Sequence, residues 1–427
     1  MGRSERWWVL LGAVLLAAVI VYAAGRNGLA EYREQSGNPD DWSRAAQLEP
    51  DNADYWYRLG RYRQFDLAAS DLSQAISYYR RAVALNPHAA DYWMDLASAY
   101  EATGQNEQAL AAFERAKASH PISAEVAWRY GNFLLRAGNV PEALVEMRHA
   151  VETNPKLLPP AVTTAWRATQ DIQKILAGII PPSSGACLDA VDALAADREA
   201  TPALAVWNRM IALGQPFELR RALPLVEELV RQYQEKDAWQ VWRQALTGSG
   251  NKVPDAATGE RITDGGFESD PPQGGFGWHL DPMDGADYEM DESSPHSGVR
   301  ALRVRFDGSA NLDFRQVRQL VPVEPNRQYR FSAYVRIQGI STESGLRFFI
   351  RSPRPSGFTE IETTNLLGTQ PWSLQQIEFT TGPQTRLLEI VLRREPSRKL
   401  DNKLRGSVWV DDVSLVPLGG ASREQRR

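Results

Sequence analysis

The chain has 427 residues, of which 43% are hydrophobic and 24% are charged, and its formal net charge is −5. This length allows two or three domains, each large enough to bury a core, and the balanced charge argues against nucleic acid as the main partner. The single cysteine, Cys187, excludes an intrachain disulfide and a cysteine-rich zinc site.

An uncharged apolar run occupies residues 7–24, after a short tail at 1–6. At ~1.5 Å per residue, a helix of this length covers about 27 Å, which is enough to cross a bilayer core. We therefore predict a single-pass membrane anchor that leaves the bulk of the chain outside the cytoplasm, in the periplasm or at the cell surface. A cleaved secretory signal is the alternative, because residues 21–23 offer a tolerable cleavage site. Residues 25–52 are predicted to form a connecting helical segment.

A repeat follows the anchor. Prolines close helical stretches at Pro87, Pro121 and Pro155, 34 residues apart each time, and large, small and glycine residues recur between them at matching places. The large residues give each helix an apolar stripe, and the small ones let paired helices approach closely. Over residues 53–157 this pattern resembles the tetratricopeptide repeat family. The resemblance implies an α-solenoid, in which stacked repeats bury faces that one repeat cannot bury alone.

The repeat family binds peptide segments of partner proteins on a concave face, which is formed by first-helix residues that do not pack. The matching residues here are Tyr57, Arg61, Asp91, Met94, Ser98, Glu101, Trp128, Asn132 and Arg136. The resemblance implies that these residues form a protein-binding groove, and an ordinary solvated face is the alternative. Trp128 stands out because it lies one place after a packing position and has no evident role in the core.

Residues 158–247 keep a helical periodicity but leave the repeat pattern, and we interpret them as degenerate repeats and a cap. Four tryptophans are predicted to lie in the core of this region: Trp166, Trp207, Trp239 and Trp242. Residues 248–260 lack apolar periodicity and are rich in Gly, Ser and Thr, as is typical of a linker.

From residue 261 to 418 the apolar period changes to two, for example at Leu302, Val304 and Phe306. Short alternating strands separated by Gly and Pro turns predict an antiparallel β-sandwich. The last residues, 419–427, are predicted to be a disordered tail.

Motifs at both ends of this β region are informative. The run DGGFE stands at 264–268, Gly-Trp at 277–278, and VDDVSL at 410–415. Together with Trp372 they resemble the CenC-type carbohydrate-binding family, whose fold is a galactose-binding-like jelly roll. The predicted fold class is thus multidomain, α then β: a transmembrane helix, an α-solenoid of tetratricopeptide repeats and a C-terminal jelly roll.

The same resemblance implies a structural calcium ion where the first and last strands meet, with Glu268 and Asp412 as the matching acids. Inward-facing apolar residues fall on even positions up to Val410 and on odd positions from Val413. This change predicts a bulge that redirects the side chains of Asp411 and Asp412. Carboxylate oxygens are the ligands that Ca²⁺ prefers. Without calcium, these acids would be turn and capping residues. No other cofactor is predicted.

Relatives of this kind bind ligands through aromatic side chains on an outer, concave sheet, whereas the positions of Trp278 and Trp372 are structural in them. The outward-facing candidates for glycan binding here are Arg330, Tyr334, Arg336, Arg347, Phe349 and Arg351. Arginines there could pair with carboxylates of an acidic polysaccharide. The alternative is that Tyr334 and Phe349 are covered by the helical domain or by the 353–368 loop.

No HExxH, GxSxG, phosphate-binding GxxxxGK[ST] or strand-linked GxGxxG motif occurs in the sequence, so we predict that the protein is not an enzyme. The combined prediction is a membrane-anchored envelope scaffold that binds a protein through the repeats and a polysaccharide through the jelly roll, in exopolysaccharide or surface-glycan assembly. Two alternatives remain: a pure protein–protein assembly factor with a structural β-sandwich, and an accessory subunit of a carbohydrate-active enzyme.

Overall fold

The computed structural model describes residues 3–34 and 38–419. Within them the chain divides into two compact units, one ending at Ile180 and the other beginning at Pro181. The predicted disordered tail, apart from Gly419, and the first two residues of the predicted amino-terminal tail lie outside the described residues.

The first unit is helical. Its α-helices are α1 (Arg3–Glu34), α2 (Pro39–Leu48), α3 (Ala53–Phe65), α4 (Leu72–Leu85), α5 (Ala90–Ala102), α6 (Asn106–Ser119), α7 (Ala124–Arg136), α8 (Val140–Thr153), α9 (Leu158–Thr169) and α10 (Ile172–Gly178). Helices α3 and α4, α5 and α6, and α7 and α8 pack as pairs, which confirms the predicted helical repeat region.

Local chemistry explains where these helices begin and end. The side chains of Asn52, Asp71 and Ser123 accept hydrogen bonds from the first backbone N–H groups of α3, α4 and α7. Gly104 and Gly138 adopt positive φ angles of 74° and 82° after α5 and α7, so that the chain can reverse. The capping residues and turn glycines therefore determine where these repeat helices begin and end.

Helix α1 is long and apolar enough, over Leu11–Arg33, to cross a membrane by length and composition; a cleaved signal would share these properties. The helix continues past its apolar part into the packed unit. Ala30 is fully buried in a cluster with Tyr55, and the Arg33 guanidinium donates to Asp41 Oδ1 at 2.9 Å. The apolar helix therefore packs against the first repeat through its last turns.

The second unit begins with four helices: α11 (Ser184–Ala196), α12 (Ala200–Ala212), α13 (Leu223–Arg231) and α14 (Glu235–Gly248). Trp207 and Trp242 are fully buried here and Trp239 nearly so, whereas Trp166 of the first unit is half-buried. Most of the predicted core tryptophans therefore lie in the core.

Ten strands follow: β1 (Trp278–Leu280), β2 (Ala286–Asp291), β3 (Ala301–Asp307), β4 (Phe314–Pro322), β5 (Gln328–Ile340), β6 (Arg347–Arg351), β7 (Ile361–Glu362), β8 (Gly368–Thr380), β9 (Leu387–Arg394) and β10 (Arg405–Pro417). They form two antiparallel sheets with strand orders β1-β4-β9-β6-β7 and β2-β3-β10-β5-β8, which we call sheet A and sheet B.

The two sheets share one hydrophobic core. Ring centroids of Phe306 on sheet B and Phe314 on sheet A lie 5.1 Å apart, and those of Phe331 and Phe348 lie 5.0 Å apart across the same core. The apolar positions of period two therefore face inward, as the alternation predicts.

One arginine lies inside this β region. Arg394 is 0% exposed, and burial lowers the pKa of its guanidinium. Its donors are satisfied by five acceptors from distant loops: Asn311 Oδ1 at 2.8 Å, Ser344 O at 3.1 Å, Asn402 O at 3.1 Å, Thr342 Oγ1 at 3.4 Å and Leu312 O. Among the described residues none forms an ion pair with it, so hydrogen bonds hold this buried charge, together with a longer-range attraction to the Glu343 carboxylate.

The helices and sheets of the second unit pack directly on each other. Trp242 Nε1 donates to Thr263 Oγ1 at 3.0 Å, and the ring of Phe276 lies edge-on to Trp239 at 5.5 Å. The segment 248–260, predicted to be a linker, lies between elements that already contact each other within one compact unit.

Candidate functional site

The predicted protein-binding groove is organised around Asp95 of α5. This carboxylate is buried, accepts a hydrogen bond from Tyr57 Oη at 2.8 Å, and pairs with Arg129 Nη2 at 2.8 Å and with Arg61 Nε at 3.7 Å. Burial and the Asp95 charge raise the pKa of Tyr57. Helix α5 contacts both α3 and α7, so residues from three first helices meet at one carboxylate.

The rest of the groove is also ordered by side-chain contacts. Arg136 donates to both carboxylate oxygens of Glu101, at 2.6 and 2.9 Å, and Arg129 donates to Ser98 Oγ at 3.0 Å. Asp91 is exposed and Trp128 is half-buried. The arrangement holds cations and aromatic rings in fixed positions along the first helices.

One residue predicted for the groove lies elsewhere. Met94 is only 1% exposed and packs in the core, so its predicted place on the groove surface is wrong. Asp95 and Arg129, which order the groove, were not among the predicted residues. An acidic residue next to Met94 at a buried position was the available signal, because a buried carboxylate needs a cationic or hydroxyl partner.

The six residues predicted to bind glycan do not form one surface. Arg330, Tyr334 and Arg336 lie on β5 of sheet B, whereas Arg347, Phe349 and Arg351 lie on β6 of sheet A. Period-two alternation separates inward from outward residues but does not say to which sheet a strand belongs. Two separate outer faces result.

The β5 face presents a group of aromatic rings. Tyr334 stacks on His296 with ring centroids 3.6 Å apart, and Trp372 lies edge-on to the same His296 at 5.6 Å. The Arg336 guanidinium lies 4.7 Å from the Trp409 ring, and next to it is a depression of about 480 Å³ lined in part by Arg336 and Trp372. Sequence reasoning missed His296 and Trp409 and set Trp372 aside, because their proximity depends on loops and on a register shift in β8.

Most of the predicted arginines are already paired. Arg330 binds Glu378 at 2.8 Å, Arg347 binds Glu362 at 3.0 Å, and Arg351 binds Glu389 at 2.6 Å. A ligand carboxylate would have to displace these partners. Arg336 instead donates to Ser294 Oγ at 2.7 Å and keeps no carboxylate partner among the residues that the structure describes. The β5 face around Tyr334 and Arg336 is therefore the better candidate site for a ligand.

The predicted bulge is confirmed in β10, where the register shifts between Asp411 and Ser414 and Asp412 adopts a positive φ of 48°. Asp411 accepts backbone hydrogen bonds from His296 at 2.8 Å and Ser297 at 3.0 Å. Burial raises the pKa of Asp411, and these hydrogen bonds partly offset that rise.

The two acids predicted to bind calcium also contact this loop. Asp412 accepts from Ser297 Oγ at 2.7 Å and contacts His296 Nδ1 at 2.6 Å, and Glu268 accepts from Val299 N at 2.9 Å. Within residues 3–34 and 38–419, no group of three or more His, Cys, Asp or Glu side chains is placed to hold a metal ion. These contacts have the form of turn and capping bonds, and the calcium ion stays a prediction.

The variant Asp411→Asn is expected to lower the free energy of unfolding by about 1–2 kcal/mol, because an amide nitrogen would replace an oxygen that accepts a backbone N–H. Asp411 Oδ1 accepts from Asp412 N at 2.7 Å, and its other oxygen accepts from two N–H groups. Denaturant unfolding measures the change. Asp284→Asn, the same change at an exposed turn position between β1 and β2, is the control, and equal stability of the two variants would contradict the prediction.

At the level of sequence, comparison with known proteins identifies the repeats. Residues 66–127 match the tetratricopeptide repeat family. No curated protein matches the chain.

Three solved structures are similar to parts of the chain. A tetratricopeptide repeat protein from Parabacteroides merdae is 15% identical, with a TM-score of 0.32, over 54% of this chain and 94% of its own. YrrB, described as a TPR protein with an unusual peptide-binding site, is 14% identical, with a TM-score of 0.27, over 50% of this chain and 94% of its own. A family 16 carbohydrate-binding module is 16% identical, with a TM-score of 0.27, over 36% of this chain and 98% of its own.

Proposed function

We propose that this protein is a non-catalytic scaffold, anchored by α1 with its bulk outside the cytoplasm, that binds a protein partner through the repeat groove and a glycan through the β5 face. The observation that carries the proposal is the Asp95 network, which joins side chains from three successive first helices. Stacked helical repeats present extended concave surfaces that suit a peptide segment.

The chemistry of the groove supports a peptide partner. Arg61 and Arg136 are exposed, and each is oriented by a carboxylate, while Tyr57 stacks on Tyr92 at 4.3 Å. Side chains that are already ordered lose less conformational entropy when a partner binds. A segment with carboxylates spaced along an extended backbone would complement these arginines.

The β5 face supports the glycan part of the proposal. Tyr334, His296 and Trp372 form a contiguous aromatic group beside Arg336, and sugar rings stack their apolar faces on such rings. The two sheets and their shared core are compatible with a jelly-roll sandwich of the carbohydrate-binding type. We propose a role in exopolysaccharide or surface-glycan assembly.

Glycan binding is tested by retention of the full chain, in detergent, in gels that contain neutral or acidic polysaccharides. Each aromatic contact at the centre of a binding site is worth about 2 kcal/mol, so the double variant Tyr334→Ala/Trp372→Ala is expected to weaken binding by a factor of roughly 100 or more. Phe349→Ala on the β6 face is the matched control and is expected to bind normally.

The possible results separate the alternatives. Loss of retention in the double variant alone supports glycan binding at the β5 face. Loss in the Phe349 variant alone would move the site to sheet A. If the folded wild-type chain is not retained in any polysaccharide, the protein is better described as a pure protein–protein assembly factor with a structural β-sandwich.

A further inference from the structure

The second unit contains a cleft that the proposed function does not use. It has a volume of about 580 Å³ and lies between the start of α14 and the connection from β4 to β5. Residues 233–239 form one wall, residues 322–325 form the other, and Arg261 and Arg386 also line it. Trp239, which rests against Phe276, is among its apolar lining residues.

Tyr233 holds an unusual position in this cleft. It follows α13 with a positive φ of 62°, the conformation that glycine adopts after α5, α7 and α12. A tyrosine in this backbone conformation is strained, and strained residues cluster at functional sites. Its side chain is nevertheless 71% exposed, so burial in a core does not compensate for the strain.

The ring of Tyr233 is also held in place. The Arg354 guanidinium lies 4.0 Å from the ring centroid and donates to the buried Glu235 at 2.5 Å. Arg354 covers one side of the ring, and the high exposure of Tyr233 leaves the other side open. The result is a fixed, accessible aromatic platform at the edge of the cleft.

Cationic groups in the cleft lack partners. The side chains of Lys236 and Arg386 are exposed and form no hydrogen bond or ion pair with any residue that the structure describes. Arg261 pairs with Glu324 at 2.9 Å, but its buried Nε atom has no acceptor. Most arginines on the outer faces of the two sheets are paired with carboxylates, so these free donors distinguish the cleft.

The carboxylates of the cleft do not cancel these charges. Glu235 is bound by Arg354 and Glu324 by Arg261, so Asp237 is the lining acid that forms no ion pair with any described side chain. Two free cations and an orphan Arg261 donor therefore face one free carboxylate. A carboxylate such as Asp237 is a good acceptor for sugar hydroxyl groups.

We infer that this cleft binds an acidic sugar residue of a glycan. The apolar face of the pyranose ring stacks on Tyr233, its carboxylate pairs with Arg386 and Lys236, and its hydroxyl groups bond to Asp237. The volume is in the range of small-ligand sites and fits a short oligosaccharide. The inference rests on the proposed glycan-binding function and adds to it a second site and an acidic ligand class.

The test is isothermal titration of the full chain in detergent with three probes: trigalacturonic acid, the neutral trisaccharide maltotriose, and triglutamate. Trigalacturonic acid is expected to bind at least tenfold more tightly than the other two. Tyr233→Gly is expected to weaken this binding at least tenfold, and Lys236→Gln/Arg386→Gln is expected to do the same and to reduce its dependence on salt.

The variants are chosen so that misfolding cannot explain a loss of binding. Glycine suits a φ of 62°, so Tyr233→Gly relieves strain while it removes the ring. The matched control is Arg198→Gly, which also places glycine at a positive φ, here 65°, after α11. Arg198 lies away from the cleft lining, so this variant is expected to bind normally.

Each result decides the question. The inference is overturned if Tyr233→Gly binds trigalacturonic acid normally, if maltotriose or triglutamate binds as tightly, or if the wild-type chain does not bind trigalacturonic acid. If the Tyr334→Ala/Trp372→Ala variant alone loses the trisaccharide, the cleft is excluded while the proposed β5 site stands. Failure of the proposed function is judged separately, by gel retention on whole polysaccharides.

Discussion

Replacing Arg394 with methionine is expected to lower the free energy of unfolding of the β region by about 3–5 kcal/mol, because five acceptors, two of them in buried hydrogen bonds, would lose their donor at once. Methionine has similar length and is apolar, so the loss reflects the hydrogen bonds more than a cavity. The acceptors belong to loops around residues 311–312, 342–344 and 402, which the guanidinium ties together. Denaturant unfolding of the full chain, with hydrogen exchange in β9 to localise the effect, measures this change.

Arg330→Met is the control for this experiment. Arg330 lies on β5 with its side chain 44% exposed, and it pairs with the exposed Glu378 at 2.8 Å. Surface ion pairs contribute about 0–1 kcal/mol, so this variant is expected to be nearly as stable as the wild type. If the two variants lose the same stability, the burial of Arg394 does not account for the loss.

Replacing Asp95 with alanine is expected to lower the stability of the repeat unit by about 2–4 kcal/mol, because the partly buried Arg129 would lose its carboxylate and Tyr57 its acceptor. The expected loss of stability is smaller than for a fully buried ion pair, because the Arg129 side chain is 27% exposed. Hydrogen exchange in α5, together with urea unfolding, measures the loss. Binding of a peptide partner should weaken as well, since Arg61 and Tyr57 lose their orientation.

Two further variants make this prediction specific. Asp91→Ala lies one turn earlier on α5 at an exposed position and is expected to change stability by less than about 0.5 kcal/mol. Asp95→Asn keeps one oxygen acceptor and should recover part of the stability. If Asp95→Ala is no less stable than Asp91→Ala, the network does not hold the groove together.

The periodic features of this protein could be predicted from sequence, because each rests on local chemistry. The repeat helices follow from spacing, caps and turn glycines within 34-residue windows. The bulge at Asp411 could be predicted because the inward-facing positions change from even to odd between Val410 and Val413. A strand can make this change only if it contains an extra residue.

The features that the sequence did not reveal depend on long-range contacts. Strand alternation placed Tyr334 and Phe349 outside but could not assign their strands to sheets, because β5 and β6 follow each other in sequence and lie in different sheets. Asp95 and Arg394 are single polar residues in apolar surroundings, and their partners come from other helices and loops. Periodicity carries no information about such isolated residues.

Helix α1 sets the distance between the apolar run and the residue that packs against the first repeat. At ~1.5 Å per residue, Ala30, which packs beside the first repeat, lies about 12 Å along the helix from Tyr22, near the end of the apolar run. With α1 inserted in a bilayer, the contact of Ala30 with Tyr55 and Leu59 would hold the first repeat at a set height above the lipid headgroups. Partners that are themselves confined to the membrane would then reach the groove by two-dimensional diffusion. They would meet it in a single orientation.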